Sequence, residues 1–161
     1  MHVIAALFVV CIIAGRAIAQ DDKREVRFED YPVQLKFQGK PARPQQNSQF
    51  SRGFKTRIKL AAAAGPNFAD HYTIAVWGCG AGCVAFSIVD AVDGRVYDFP
   101  YSVSWGNEAD SGVLGHRESS VLHVVGSLNE GDNSADRWYL WTGKELKLIS
   151  EKPAKRLAFS Q

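Results

Sequence analysis

Tyr72-Thr73-Ile74-Ala75-Val76-Trp77-Gly78-Cys79-Gly80-Ala81-Gly82-Cys83-Val84-Ala85-Phe86-Ser87-Ile88-Val89 decides how this chain folds. Tyr72, Ile74 and Val76 alternate with Thr73, Ala75 and Trp77, and Val84, Phe86 and Ile88 alternate with Ala85, Ser87 and Val89. A period of two is the signature of strands. Between the two runs, two cysteines are interleaved with glycine. Extended backbone would hold residues four apart at roughly 13 Å, whereas a disulfide needs Cα atoms about 4.4–6.8 Å apart. If Cys79 and Cys83 are joined, the chain must turn between them, and Gly78, Gly80 and Gly82 permit that turn. The expectation is a hairpin that presents a rigid, disulfide-closed loop.

Downstream, Asp90-Ala91-Val92-Asp93-Gly94 reads as a turn, with Gly94 suited to positive φ. Residues 95–99 form its return strand. Further strands are expected over 121–128, 137–141 and 145–149, the last two joined by Thr142-Gly143-Lys144. Residues 101–120 read as loop around one short strand, and 129–135 as a polar turn. Upstream, Val33, Leu35 and Phe37 alternate with Gln34 and Lys36 as a short half-buried strand. Residues 39–49 are linker-like. Phe50, Phe54, Ile58 and Ala61 then recur at helical spacing as far as Ala64, with Ser48 or Ser51 as N-cap and Gly65-Pro66 as the stop. One helix ahead of antiparallel strands predicts an α+β fold, a meander sheet with one N-terminal helix packed on it.

Residues 1–19 read as a signal peptide: an apolar run from Val3 to Gly15, then Ala17-Ile18-Ala19 ahead of Gln20. The run is shorter than the ~20 residues a membrane helix needs, although it lacks a positive start, so an uncleaved anchor is the alternative. Cys11 leaves with the leader. Residues 20–161 are expected to form a single exported domain. Loss of Arg16 lowers the formal charge from +2 to +1, which gives no electrostatic footprint for nucleic acid and no drive toward an anionic membrane. The one basic cluster, Arg52, Lys55, Arg57 and Lys59, falls on the expected helix as a solvated face.

In an exported chain, Cys79 and Cys83 are most simply a disulfide. A redox pair would call for C-x-x-C at a helix N-terminus; here the spacing is C-x-x-x-C and a strand follows. Thiolate metal binding would need two further ligands, and His71 and His123 each stand singly in strand patterns. Ser102, Ser104 and Ser111 lie in no G-x-S-x-G elbow, and neither a phosphate-binding nor a dinucleotide-binding motif is present. The sequence therefore points to no cofactor, no metal and no catalytic set. Among Trp77, Trp105, Trp138, Tyr139 and Trp141, core packing is the expected use, with Trp77 the exception because it leads into the loop.

Pro66-Asn67-Phe68-Ala69-Asp70-His71-Tyr72, Trp77-Gly78-Cys79-Gly80 with Cys83, and Asp90 with Gly94 resemble a family of small exported bacterial proteins without an assigned function. The resemblance spans roughly residues 50–150 and rests on a W-G-C-G-x-x-C core. It implies a bacterial, periplasmic setting and supplies no catalytic residues. A more distant architectural likeness is to periplasmic inhibitors of vertebrate lysozyme, which insert a disulfide-closed loop into an enzyme cleft. Their loop is one residue longer and carries a blocking histidine. Gly80-Ala81-Gly82 has no such side chain, so only insertion through backbone contacts would carry over.

These readings converge on a periplasmic or secreted binding or inhibitory module, not an enzyme, presenting Trp77, Gly78, Gly80, Ala81 and Gly82. Its partner would be another envelope or secreted protein, or a glycan. The alternative is a periplasmic enzyme, thiol-disulfide or hydrolytic, using Cys79/Cys83 or His71.

Overall fold

The structure is a computed structural model that describes residues 25–104, 112–131 and 133–154. The expected leader over residues 1–19, Trp105 and Ser111 lie outside them.

The described residues form an α+β fold of two helices and eight antiparallel strands. Strands β1 (Tyr72–Gly80) and β2 (Cys83–Asp90) make the hairpin that the alternation predicts. The Asp90 turn closes as read, and Gly94 takes φ +81°. A Cβ at Gly94 would collide with the Arg43 carbonyl, so this turn demands glycine twice over. Strand β3 (Val96–Asp98) returns along β2. Strand β4 (Val103–Ser104) pairs with β2 on one side and with β6 (Val121–Leu128) on the other. Strand β5 (Gly112–Gly115) lies on β6, so the described residues of 101–120 hold two short strands and not the one expected. Strands β7 (Ala135–Trp141) and β8 (Leu146–Pro153) form the closing hairpin. The strand order is β1-β2-β4-β6-β7-β8, with β3 on β2 and β5 on β6.

The sheet curls so that its two halves face each other. Tyr72 of β1 meets Trp141 of β7 with ring centroids 5.2 Å apart, although three strands lie between the two along the hydrogen-bonded path. Tyr72, Ile74, Phe86 and Ile88 share one apolar core with Leu122, Val124, Tyr139 and Trp141. The other face of the β1–β2 hairpin presents Ala75, Trp77, Ala85 and Val89 to a second core under the helices. Both faces of the hairpin are covered, which explains why its run is apolar at nearly every position.

The expected single helix is two: α1 (Gln49–Gly53) and α2 (Lys55–Ala64), broken at Phe54. Ser48 is the N-cap, in a reciprocal box with Ser51, and its hydroxyl also bonds the Asp98 carboxylate. The break follows Gly53 and brings Phe50 and Phe54 together over Trp77, at 5.6 and 4.7 Å. The expected strand at Val33–Phe37 is absent. Pro32 forms only an isolated bridge to Ser119, and the Lys36 and Phe37 amides are taken by the Asp70 carboxylate at 2.7 and 2.9 Å. A side-chain acceptor has replaced the ladder that the alternation suggests.

Candidate functional site

The hairpin end is built by a two-residue turn, Ala81-Gly82, with Gly80 opposite Cys83. The register shifts between Gly78 and Gly80, which makes Cys79 the extra residue of a bulge. Gly80 at φ +151° and Gly82 at φ +66° supply the backbone angles this needs. The bulge brings the Cα atoms of Cys79 and Cys83 to 5.3 Å, and the two are joined as a disulfide. Gly78, Cys79, Gly80, Ala81 and Gly82 are all exposed, whereas Cys83 is buried. The ring thus offers mostly backbone, fixed from beneath by one sulfur in the core.

Trp77 does not belong to that exposed rim. It is 5 % exposed and packs against Phe50 and Phe54 beneath the helices, which corrects the expectation of a presented indole. Its parity with Ala75 directs it to the helix side, and the helices lie over that side.

His71 sits between two carboxylates: Nδ1 is 3.2 Å from Asp70 and Nε2 is 3.9 Å from Asp90. Burial alone would raise the Asp70 carboxyl. The Phe37 and Lys36 amides, with His71, outweigh it and hold Asp70 below the ordinary carboxylate range. His123 Nε2 meets Asp136 at 2.7 Å and its ring stacks on Trp138. Among the described residues, neither histidine hydrogen-bonds a serine, threonine or cysteine side chain. No group of three His, Cys, Asp or Glu among those residues could hold a metal.

A cleft of about 590 Å³ opens between the two halves of the sheet. Phe86, Tyr97 and Phe99 form one wall, and Tyr139, Trp141 and Leu148 the other. Edge-to-face contacts brace it, Tyr97 to Trp141 at 5.1 Å and Phe99 to Tyr139 at 5.9 Å. Arg137, 7 % exposed, lies on the same wall. Its guanidinium donates to the Gly126 carbonyl at 2.7 Å and to Glu151 at 2.9 and 3.0 Å. Burial pushes the Tyr139 phenol up, so it stays a neutral donor through the ordinary pH range. Sequence reasoning missed this cleft. The signal was parity: Arg137 alternates in step with Tyr139 and Trp141, a charge on the inward face of its strand. No family model, curated protein or solved structure matches the chain.

Proposed function

We propose that this chain is an exported binding or inhibitory module, periplasmic or secreted, that engages another envelope or secreted protein, or a glycan, through its disulfide-closed hairpin end. The observation that carries this reading is the contrast along the hairpin: Gly78 to Gly82 are exposed, while nearly every residue behind them is buried. A loop already fixed by a disulfide and a core-anchored Cys83 loses little freedom on binding. Gly80, Ala81 and Gly82 offer backbone donors and acceptors with almost no side-chain obstruction, suited to entry into a narrow groove. Among the described residues, no helix is long and apolar enough to cross a membrane.

The test places a photo-crosslinker at Ala81 of the purified chain in an envelope extract. A single adduct is expected, competed away by unmodified chain and lost with Cys79→Ser/Cys83→Ser. That double variant should still fold, at a cost of about 2 kcal/mol for a five-residue ring, measured by chemical denaturation. An adduct that unmodified chain does not compete, or that forms equally from a crosslinker at Leu114, discards the reading.

A further inference from the structure

We propose that the cleft between the two halves of the sheet is a second binding site, for an uncharged, mainly apolar ring compound bearing one hydrogen-bond acceptor. None of its lining residues belongs to the Cys79–Cys83 loop, so this inference goes beyond the loop reading and does not depend on it.

Size comes first. Protein interiors leave few voids larger than a water molecule, and about 590 Å³ falls among ligand sites, which run to roughly 300–1,000 Å³. The gap is held open by aromatic side chains that touch one another across it, so the walls cannot close further without those rings colliding. Leu148 stands on its wall 49 % exposed, an apolar surface that an apolar guest would take out of water.

Charge excludes ions as the main guest. Arg137 is paired with Glu151, and the remaining charges on the walls that face the cleft are Lys144 and Glu145, one of each sign. Asp98 also borders the space, but its carboxylate is bonded to Ser87 and Ser48 on the helix side. The walls therefore offer no net field to attract a cation or an anion.

Hydrogen-bond donors concentrate on the wall that holds Arg137 and Tyr139, where the Trp141 indole N–H is also buried without a partner among the described residues, and the facing wall adds the Tyr97 hydroxyl. Arg137 has N–H groups beyond those given to Gly126 and Glu151. The Tyr139 hydroxyl beside it has no hydrogen-bond partner among the described residues. Two neighbouring donors beside the Tyr139 and Trp141 rings fit one carbonyl, ether or hydroxyl oxygen.

Nile red is an apt probe, being neutral, polycyclic and equipped with one carbonyl. Titrated into the full folded domain, it should bind saturably at one site per chain, with energy transfer from the tryptophans that Trp141→Phe reduces more than Trp77→Phe does. Leu148→Lys, which sets a charged chain on the wall, should weaken binding at least tenfold, and Tyr139→Phe should weaken it several-fold. Leu114→Lys, on a different exposed leucine, and Cys79→Ser/Cys83→Ser should leave binding unchanged. Should Leu148→Lys fail to fold, saturation of the parent chain and the Trp141 transfer decide. Non-saturable uptake, equal loss with Leu114→Lys, or tighter binding of a sulfonated dye would overturn the proposal.

Discussion

Asp70 connects parts of the chain that share no secondary structure. Its backbone sits at φ +70°, a region that aspartate tolerates better than most residues. One carboxylate oxygen accepts from Lys36 and Phe37, and the other faces His71. Its own carbonyl accepts from Arg117 at 3.0 Å, and Arg117 also donates to the Phe37 carbonyl at 2.8 Å. Asp70 therefore pins residues 36–37 to the start of β1. Asp70→Asn should cost about 1.5–3 kcal/mol at neutral pH, the scale of hydrogen bonds to a charged acceptor. The sign follows from the lowered pKa. Stability owed to ionised Asp70 is complete above the unfolded carboxylate value near ~4 and is lost as pH falls through the lower folded value. The stability gap between parent and variant should therefore narrow in acid, below about pH 4. A gap that stays constant across that range in urea denaturation would remove the carboxylate from its assigned role.

The β1–β2 hairpin is the element on which both apolar clusters depend. Trp77→Ala should destabilise by about 3–5 kcal/mol, the range for emptying a large aromatic site, because Phe50 and Phe54 would lose the ring beneath them. Chemical denaturation checks it, and a change below ~1 kcal/mol would show that the helices find other support. This hairpin was legible because alternation, a glycine-rich turn and the two cysteines all agreed. The strand at 33–37 was misread from an equally regular alternation, since no pattern reveals that Asp70 captures the amides. The helix was legible in extent but not in its break, because Phe54 yields to a contact with Trp77 that sequence spacing does not encode. Exposure of the loop could be inferred from Gly80, Ala81 and Gly82 themselves. Trp77 was misassigned because adjacency to a loop says nothing about what covers a side chain. The cleft was illegible for a different reason: its walls come from β2, β3, β7 and β8, and only the curl of the sheet brings them together.

On the scale of the molecule, the helix layer and the two sheet halves share the hairpin as a common wall, which predicts one cooperative unfolding unit. Trp77 reports on the helix-side cluster and Trp141 on the cluster between sheet halves. Denaturation followed through a Trp77→Phe variant, through a Trp141→Phe variant and by circular dichroism should give midpoints that coincide after allowance for each variant's own stability. Separate transitions would mean that the layers melt independently. The stretch around Phe28 has a consequence in time. Phe28 rests on His116 and Trp138, and its carbonyl accepts from Ser119, ninety-one positions later. A polypeptide delivered from its N-terminus makes this segment early, yet its resting place exists only after β7 has been supplied. Cys79 and Cys83, four positions apart, can meet as soon as both emerge. The ring is therefore set early in the chain's history, and the segment made before it settles among the last.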